Sequence, residues 1–137
     1  MTPPNELVPG MAFAFRKTLS VAEQALFTGI SGNLAPLYVD KLKARDAGAA
    51  DLVVFELAAA ALATTCLNRL GGATRRIGLF DVRFPRSLLV GETLEARAVV
   101  EAVDGDEVRC QVTGARVTTG QVVFEGRATL VPFEGQG

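Results

Sequence analysis

The sequence contains no histidine among its 137 residues. This excludes, within one chain, the Ser-His-Asp and Cys-His mechanisms and any metal centre with histidine ligands. Catalysis would have to use carboxylates, tyrosine, lysine, backbone dipoles or a second subunit. Cysteine is also scarce, since only Cys66 and Cys110 are present and they form no CxxC motif. We expect two small buried side chains and neither a disulfide nor a metal site.

Neither sign of charge is in excess, because 14 Lys and Arg stand against 15 Asp and Glu. Nucleic acids and anionic membrane surfaces attract basic proteins, so neither is an expected partner. The N-terminal stretch MTPPNELVPG lacks the basic start and apolar run of a signal peptide. No apolar run reaches the roughly 18 residues of a membrane span. A cytoplasmic location is therefore expected.

The length and the 49% of hydrophobic residues are sufficient for one substantial core, so residues 1–137 are expected to form a single domain. Alternation of Met11, Phe13 and Phe15 predicts a short strand. Ser20 and Glu23 have the spacing of a capping box for a short helix that ends at about Thr28.

A longer helix is predicted over residues 51–70, with Asp51 as its cap and two glycines after its end. Its middle is apolar on every face, which indicates a helix surrounded by protein. Residues 58–63 are mostly alanine, which allows the neighbours of the helix to approach closely.

Four segments of β type follow the long helix, over residues 75–84, 93–103, 107–119 and 121–133. Asp104-Gly105-Asp106 and Gly120 mark turns between them. An antiparallel sheet that curls around one long apolar helix is an α+β hotdog arrangement. Such a sheet leaves an edge strand open, and pairing with a second copy would close it, so we expect a dimer.

The stretch FTGISGNLAPLYVD, residues 27–40, resembles the loop signature of MaoC-like hotdog proteins. These are the (R)-specific enoyl-CoA hydratases and 3-hydroxyacyl dehydratases, and their usual pattern is Ser/Thr-Gly-Asp-x-Asn-Pro-x-His-x-Asp. Ser31, Gly32, Pro36 and Asp40 match it. The stretch VRFPRSLLVGETL, residues 82–94, is similar to the family's segment at the start of its sheet. The resemblance spans about residues 10–132 and implies an acyl-thioester substrate carried on coenzyme A or phosphopantetheine, with no separate cofactor.

The departures from the family pattern fall on its working residues. In the family, the Asp and His of the loop hold and activate a water, and Asn33 and Tyr38 stand at those positions. Asn can orient a water but cannot take its proton, and Tyr donates a hydrogen bond but is a poor base at neutral pH. Ala35 replaces the family's Asn. Asn33 and Tyr38 are candidate catalytic residues, or they fill the former site as a hydrogen-bonded pair.

Glu56 is the third candidate catalytic residue. The family usually has His-Gly at the start of the central helix, where the Gly amide polarises the thioester carbonyl, and Phe55-Glu56 stands there instead. Near the positive end of a helix, Glu56 is a candidate base or nucleophile of a thioesterase. The alternative is a structural role, in which it accepts hydrogen bonds from exposed amides or pairs with an arginine. Asp40 is expected to be a cap, and Thr64 and Thr65 to be ordinary helix residues.

Substrate contacts are expected from the apolar and the basic residues around this region. Pro36 and Phe55 flank the candidate catalytic residues. Arg75, Arg76, Arg83 and Arg86 cluster near the first strand of the main sheet, where arginine forks suit the phosphates of coenzyme A or phosphopantetheine. The alternative is a solvated rim paired with carboxylates.

Three functions remain open from the sequence. The first is a hydratase or dehydratase of acyl thioesters that works through Asn33, Tyr38 and Glu56. The second is an acyl-CoA thioesterase that uses Glu56. The third is a non-catalytic subunit that binds acyl chains or completes the tunnel of a catalytic hotdog partner. The expected assembly is a homodimer, or a hetero-oligomer with such a catalytic subunit.

Overall fold

The structure, a computed structural model, describes residues 6–134. It contains one antiparallel sheet and four helices in this part of the chain. The elements are β1 (Ala12–Thr18), α1 (Val21–Ser31), α2 (Pro36–Val39), α3 (Lys41–Asp46), α4 (Glu56–Gly71), β2 (Arg75–Arg83), β3 (Thr93–Asp104), β4 (Glu107–Arg116) and β5 (Val122–Pro132).

The five strands pair in the order β1-β3-β4-β5-β2, so β1 and β2 are the two edges. The strands predicted after the long helix are confirmed, and the turns between them use Gly105 and Gly120 at positive φ. On β3, Leu94, Ala96 and Ala98 are buried and alternate with more exposed side chains. The helix α4 contacts all five strands, because the sheet curves around it. This is the predicted α+β hotdog arrangement.

The start of the long helix differs from the prediction. It begins at Glu56 and not at Asp51, and it ends at Gly71. Residues 52–54 are extended because they pair with the segment before β3: Val54 N–H donates to the Leu88 carbonyl, and Leu52 O accepts from Val90 N–H. Asp51 therefore caps only the Leu52 N–H and lies 3.6 Å from the Lys41 ammonium.

The capping box at the start of α1 is confirmed in part. The Ser20 Oγ accepts a hydrogen bond from the Glu23 N–H, and the Ser20 hydroxyl donates to the Glu23 side chain. The helix continues past the predicted Thr28 to Ser31, and Gly32 ends it in the left-handed conformation with φ of 73°. This turn sets the direction of the loop that leads to the candidate catalytic residues.

One side of α4 is not covered by its own chain. Ala59, Ala63 and Cys66 are buried against the sheet, whereas Leu57 is 62% exposed. The exposed side faces the edge strand β2, and the shallow groove between them holds about 210 Å³; we call it the α4–β2 groove. Its lining residues are Leu57, Ala60, Ala61, Thr64, Ile77 and Phe80. The prediction of a helix covered on every face is thus wrong for the single chain.

Cys66 and Cys110 are both buried and free, as predicted for small core side chains. Burial raises the pKa of the Cys110 thiol to about 11, so it stays protonated at neutral pH. Among the residues that the structure describes, no helix has the length and apolar character needed to cross a bilayer.

Gly126 is expected to be essential for seating β2 on the sheet. A Cβ at this position would lie 2.0 Å from the Asp81 carbonyl oxygen and 2.7 Å from the Val82 Cα. Gly126→Ala must therefore push β2 away from β5, and we expect the free energy of unfolding to fall by about 1–3 kcal/mol or more. Gly29→Ala in α1 meets open space and should raise it by about 0.5–1 kcal/mol. Urea unfolding of both variants measures the contrast, and an unchanged stability of Gly126→Ala would contradict it.

Candidate active site at the start of the central helix

Tyr38 and Glu56 meet at the point where α4 begins. The Tyr38 hydroxyl donates a hydrogen bond to the Glu56 Oε1 over 2.7 Å. Tyr38 comes from the short helix α2, and Glu56 is the first residue of α4. Both residues are half-buried, so the pair is held by protein on one side and accessible on the other. The structure thus brings together two of the three side chains that the sequence marked as candidate catalytic residues.

An aromatic stack holds the phenol ring in place. The rings of Tyr38 and Phe55 are stacked, with centroids 4.5 Å apart and an angle of 18° between their planes. Phe27 of α1 packs against Phe55 with a centroid distance of 4.8 Å. Phe55 is only 2% exposed, so its ring forms the base on which Tyr38 lies. Phe55 therefore supports the Tyr38 ring from beneath, whereas the sequence predicted that Phe55 would contact the substrate.

The loop before Tyr38 is shaped by its own side chains. Pro36 is the first residue of α2, where its fixed φ and missing N–H suit a helix start. The Asn33 Oδ1 accepts from the Ala35 N–H at 2.9 Å, which forms a local turn. Asp40 accepts from the N–H groups of Leu42 and Lys43 and so caps α3, as expected. The exposed Asn33 amide oxygen bonds its own loop and not Tyr38.

The electrostatics of the pair favour a protonated phenol beside a carboxylate. The hydrogen bond to Glu56, with smaller contributions from burial and from the negative charge of Glu56, raises the pKa of Tyr38 to about 12. At neutral pH Tyr38 is therefore a donor and not a base. The oxygen that remains for general-base chemistry is on Glu56.

Backbone donors lie beside the carboxylate. Within residues 6–134, the N–H groups of Glu56 and Leu57 donate to no protein acceptor, as is usual for the first turn of a helix. The dipole of the 16-residue helix adds a partial positive charge at this end. The start of α4 thus combines a carboxylate, a phenol and free N–H groups, the set of groups needed to move a proton and to stabilise a developing oxyanion.

Comparison with known proteins shows the family of the chain. The family model described as "MaoC like domain" matches residues 5–121. The chain belongs to the MaoC-like domain family. No curated protein sequence matches it significantly.

Solved structures share the MaoC-like fold over nearly the whole chain. The (R)-hydratase from A. caviae involved in PHA biosynthesis is 22% identical, with a TM-score of 0.87 over 93% of this chain and 98% of its own. The MaoC-like dehydratase from Rhodospirillum rubrum is 20% identical, with a TM-score of 0.73 and coverages of 95% and 96%. A chain of the ChsH1–ChsH2 complex from Mycobacterium tuberculosis is 16% identical, with a TM-score of 0.83 and coverages of 93% and 100%. Identities this low show a common fold and do not assign an activity.

The arginines expected to bind phosphate have different surroundings in this MaoC-like chain. Arg75 donates to the carbonyls of Asp106 and Gly71 and so joins the end of α4 to the β3–β4 hairpin. Arg83 pairs with Glu125 on the outer face of the sheet. Arg76 and Arg86 are exposed and have no carboxylate within salt-bridge distance among the described residues. Arg76 donates only to the adjacent Ile77 carbonyl at 3.4 Å, so Arg76 and Arg86 are the two of this cluster with the fewest protein contacts.

Sequence reasoning overlooked two residues of the site, Gln24 and Phe27. Both are on α1, where Phe27 supports Phe55 and Gln24 is buried next to the segment that precedes α4. No pattern in the sequence marked Gln24, because the apolar side chains of Val21, Leu26 and Ile30 on the same helix are exposed and the polar Gln24 is buried. The Thr64 hydroxyl, as expected, bonds its own helix, donating to the Ala61 carbonyl at 2.6 Å.

Glu56→Gln should lower the pKa of Tyr38 from about 12 towards the ordinary value of about 10, because the substitution removes the carboxylate. Tyr38 is the only tyrosine and the chain has no tryptophan, so ultraviolet absorbance of the phenolate follows this group alone. Glu101→Gln on β3 is the matched control and should leave the pKa unchanged. An equal pKa in all three proteins would contradict the 2.7 Å contact.

The same shift predicts how stability depends on pH. Folding raises the pKa of Tyr38, so the protonated phenol contributes to the free energy of unfolding. This contribution is fully present below about pH 10, the pKa of tyrosine in the unfolded state, and is lost as the pH rises towards 12.

Proposed function

We propose that the protein adds water to an enoyl thioester, or removes it from a 3-hydroxyacyl thioester, with Glu56 and Tyr38 as the acid–base pair. The observation that carries the proposal is the 2.7 Å hydrogen bond between these side chains, next to the free N–H groups of α4. Membership of the MaoC-like family supports the substrate class. No metal or separate cofactor is needed for this chemistry.

The pair can carry both proton transfers of hydration. Glu56 takes a proton from water, and the hydroxide adds to the β-carbon of the double bond. The electron pair moves to the thioester oxygen, and the resulting enolate is stabilised by the N–H groups of Glu56 and Leu57. Tyr38 then gives its proton to the α-carbon and recovers one from Glu56 through their hydrogen bond. One water is consumed, and both side chains return to their starting state.

The α4–β2 groove supports a place for the acyl chain. It begins at Leu57, directly after Glu56, and is lined mainly by apolar side chains. A thioester carbonyl at the start of α4 would leave the acyl chain beside these residues. The groove is open along one side in the single chain, and a second hotdog subunit on the β2 edge would close it.

A partner subunit would assemble with this chain through β2. Both edge strands carry charged side chains, and β2 is the preferred edge because it adjoins the exposed apolar side of α4, which a partner would cover. The fold shared with a chain of the ChsH1–ChsH2 complex supports a non-identical MaoC-like partner as the alternative to a second copy.

Activity is tested with trans-2-enoyl-CoA substrates of several chain lengths, by the loss of enoyl thioester absorbance. Glu56→Gln and Tyr38→Phe should each lower turnover about 10²–10⁴-fold, because each removes one proton-transfer group. Glu101→Gln, the same chemical change on the outer sheet, should retain full activity.

Three other outcomes would change the assignment. Release of free thiol that is lost in Glu56→Gln would make the protein a thioesterase. Absence of turnover with every chain length would overturn catalysis by this chain alone. Activity restored only by a second MaoC-like chain would make it a subunit of a hetero-oligomer.

The purified chain should be a dimer in sedimentation equilibrium, and Leu57→Asp should dissociate it, because the new charge would lie in the interface. Leu42→Asp on α3 is the matched control, since Leu42 is 72% exposed and lies outside the groove. A monomeric wild-type chain, or a dimer that survives Leu57→Asp, would exclude pairing of two copies of this chain through this surface.

A further inference from the structure

Gln24 is the one polar side chain in the buried interior of the described residues, with 5% of its surface exposed. It belongs to α1, yet its carboxamide bonds the backbone of two other segments. The Nε2 donates to the Tyr38 carbonyl at 3.0 Å and to the Val53 carbonyl at 2.7 Å. The Oε1 accepts from the Phe55 N–H at 3.3 Å.

The three partners define the chemistry that this position requires. Two carbonyls need two donated hydrogen bonds, and one N–H needs an acceptor, so the orientation of the carboxamide is fixed. Glutamate has no second donor, and an apolar side chain of the same length has neither donor nor acceptor. A buried backbone group left without a partner is costly, so glutamine satisfies a demand that few side chains can meet.

These bonds connect the two halves of the candidate site. Tyr38 carries the phenol, and Phe55 directly precedes the carboxylate of Glu56. Neither residue lies in a strand, and α2 has only four residues, so regular secondary structure gives them little support. One backbone bond, from the Val53 N–H to the Leu37 carbonyl at 3.2 Å, also joins these segments. Gln24 adds three more bonds and fixes the distance between the segment of the phenol and the segment of the carboxylate.

We propose that Gln24 is a positioning residue that holds Tyr38 and Glu56 in register for proton transfer. The role of Gln24 in catalysis rests on the proposed function. Its role in holding the Tyr38–Glu56 contact does not. Gln24 touches neither the reacting groups nor the groove and acts only through the backbone of its neighbours.

The test is Gln24→Met, which keeps the length of the side chain and removes its hydrogen bonds. At about pH 11, one unit below the wild-type pKa, about one-tenth of Tyr38 is ionised in the wild type. In the variant the contact with Glu56 loosens, and more than about half of Tyr38 should be ionised, as phenolate absorbance reports. Tyrosine emission at neutral pH should also rise, because a bonded carboxylate quenches it. Circular dichroism under both conditions verifies the fold.

Val112→Ala separates positioning from a general loss of stability. Val112 is fully buried on β4, within the sheet, so this variant should unfold more easily and yet keep the wild-type Tyr38 ionisation and emission. Equal values in Gln24→Met and the wild type would overturn the proposal. So would a change of the same size in Val112→Ala.

Hydrogen exchange of the wild-type protein tests the same contact without any variant, should Gln24→Met fail to fold. The Phe55 N–H lies outside the helix and sheet ladders, so its protection depends on the Gln24 Oε1. We expect protection as strong as that of the core strands, and rapid exchange would overturn the proposal. A protein without thioester turnover that shows these changes would keep the positioning role and lose only the proposed reaction. Thioester turnover by the wild type, together with an unchanged Tyr38 ionisation and emission in Gln24→Met, would keep the proposed reaction and overturn the positioning role.

Discussion

The packing of α4 into the curved sheet is the constraint on which the other features depend. The buried side of this helix is mostly small, with Ala59, Ala60 and Ala63 facing the strands, so helix and sheet approach closely. On the strands, Gly114 leaves space for the Phe124 ring, since a Cβ there would lie 2.1 Å from it. Such close packing fixes the axis of α4 relative to the strands. The direction in which its first N–H groups point is fixed with it.

The candidate site uses this fixed helix start together with a less regular segment. Residues 32–40 have little helix or strand of their own, and they are held by side-chain contacts to α1 and to the start of α4. The stack of Phe27, Phe55 and Tyr38 excludes water from one side of the phenol. The other side meets a carboxylate at the positive end of a helix. A hydrogen-bonded pair of unlike acidity, half-buried next to free backbone donors, is an arrangement suited to proton transfer.

Family membership and local chemistry give complementary information about this chain. The MaoC-like fold explains why a loop, a helix start and an edge strand converge at one place. It does not explain the residues found there, because the chain has no histidine and places a tyrosine beside a glutamate. The exposed side of α4 begins at Leu57, directly after Glu56 in the chain, and adjoins the open β2 edge. The functional assembly is thus expected to contain more than one chain.

Periodicity and composition were sufficient to predict the hotdog architecture, the four strands after the long helix and the existence of that helix, because these depend on local propensity and on alternating burial. The absence of histidine by itself limited the possible chemistry. The sequence could not place the start of α4, since residues 52–54 pair with residues 88–90, far along the chain. Nor could it show that Tyr38 bonds Glu56 and not Asn33, or that Gln24 joins their segments. Those contacts are decided by tertiary structure, because hydrogen bonds between distant segments depend on how the chain folds back and not on the spacing of residues along it.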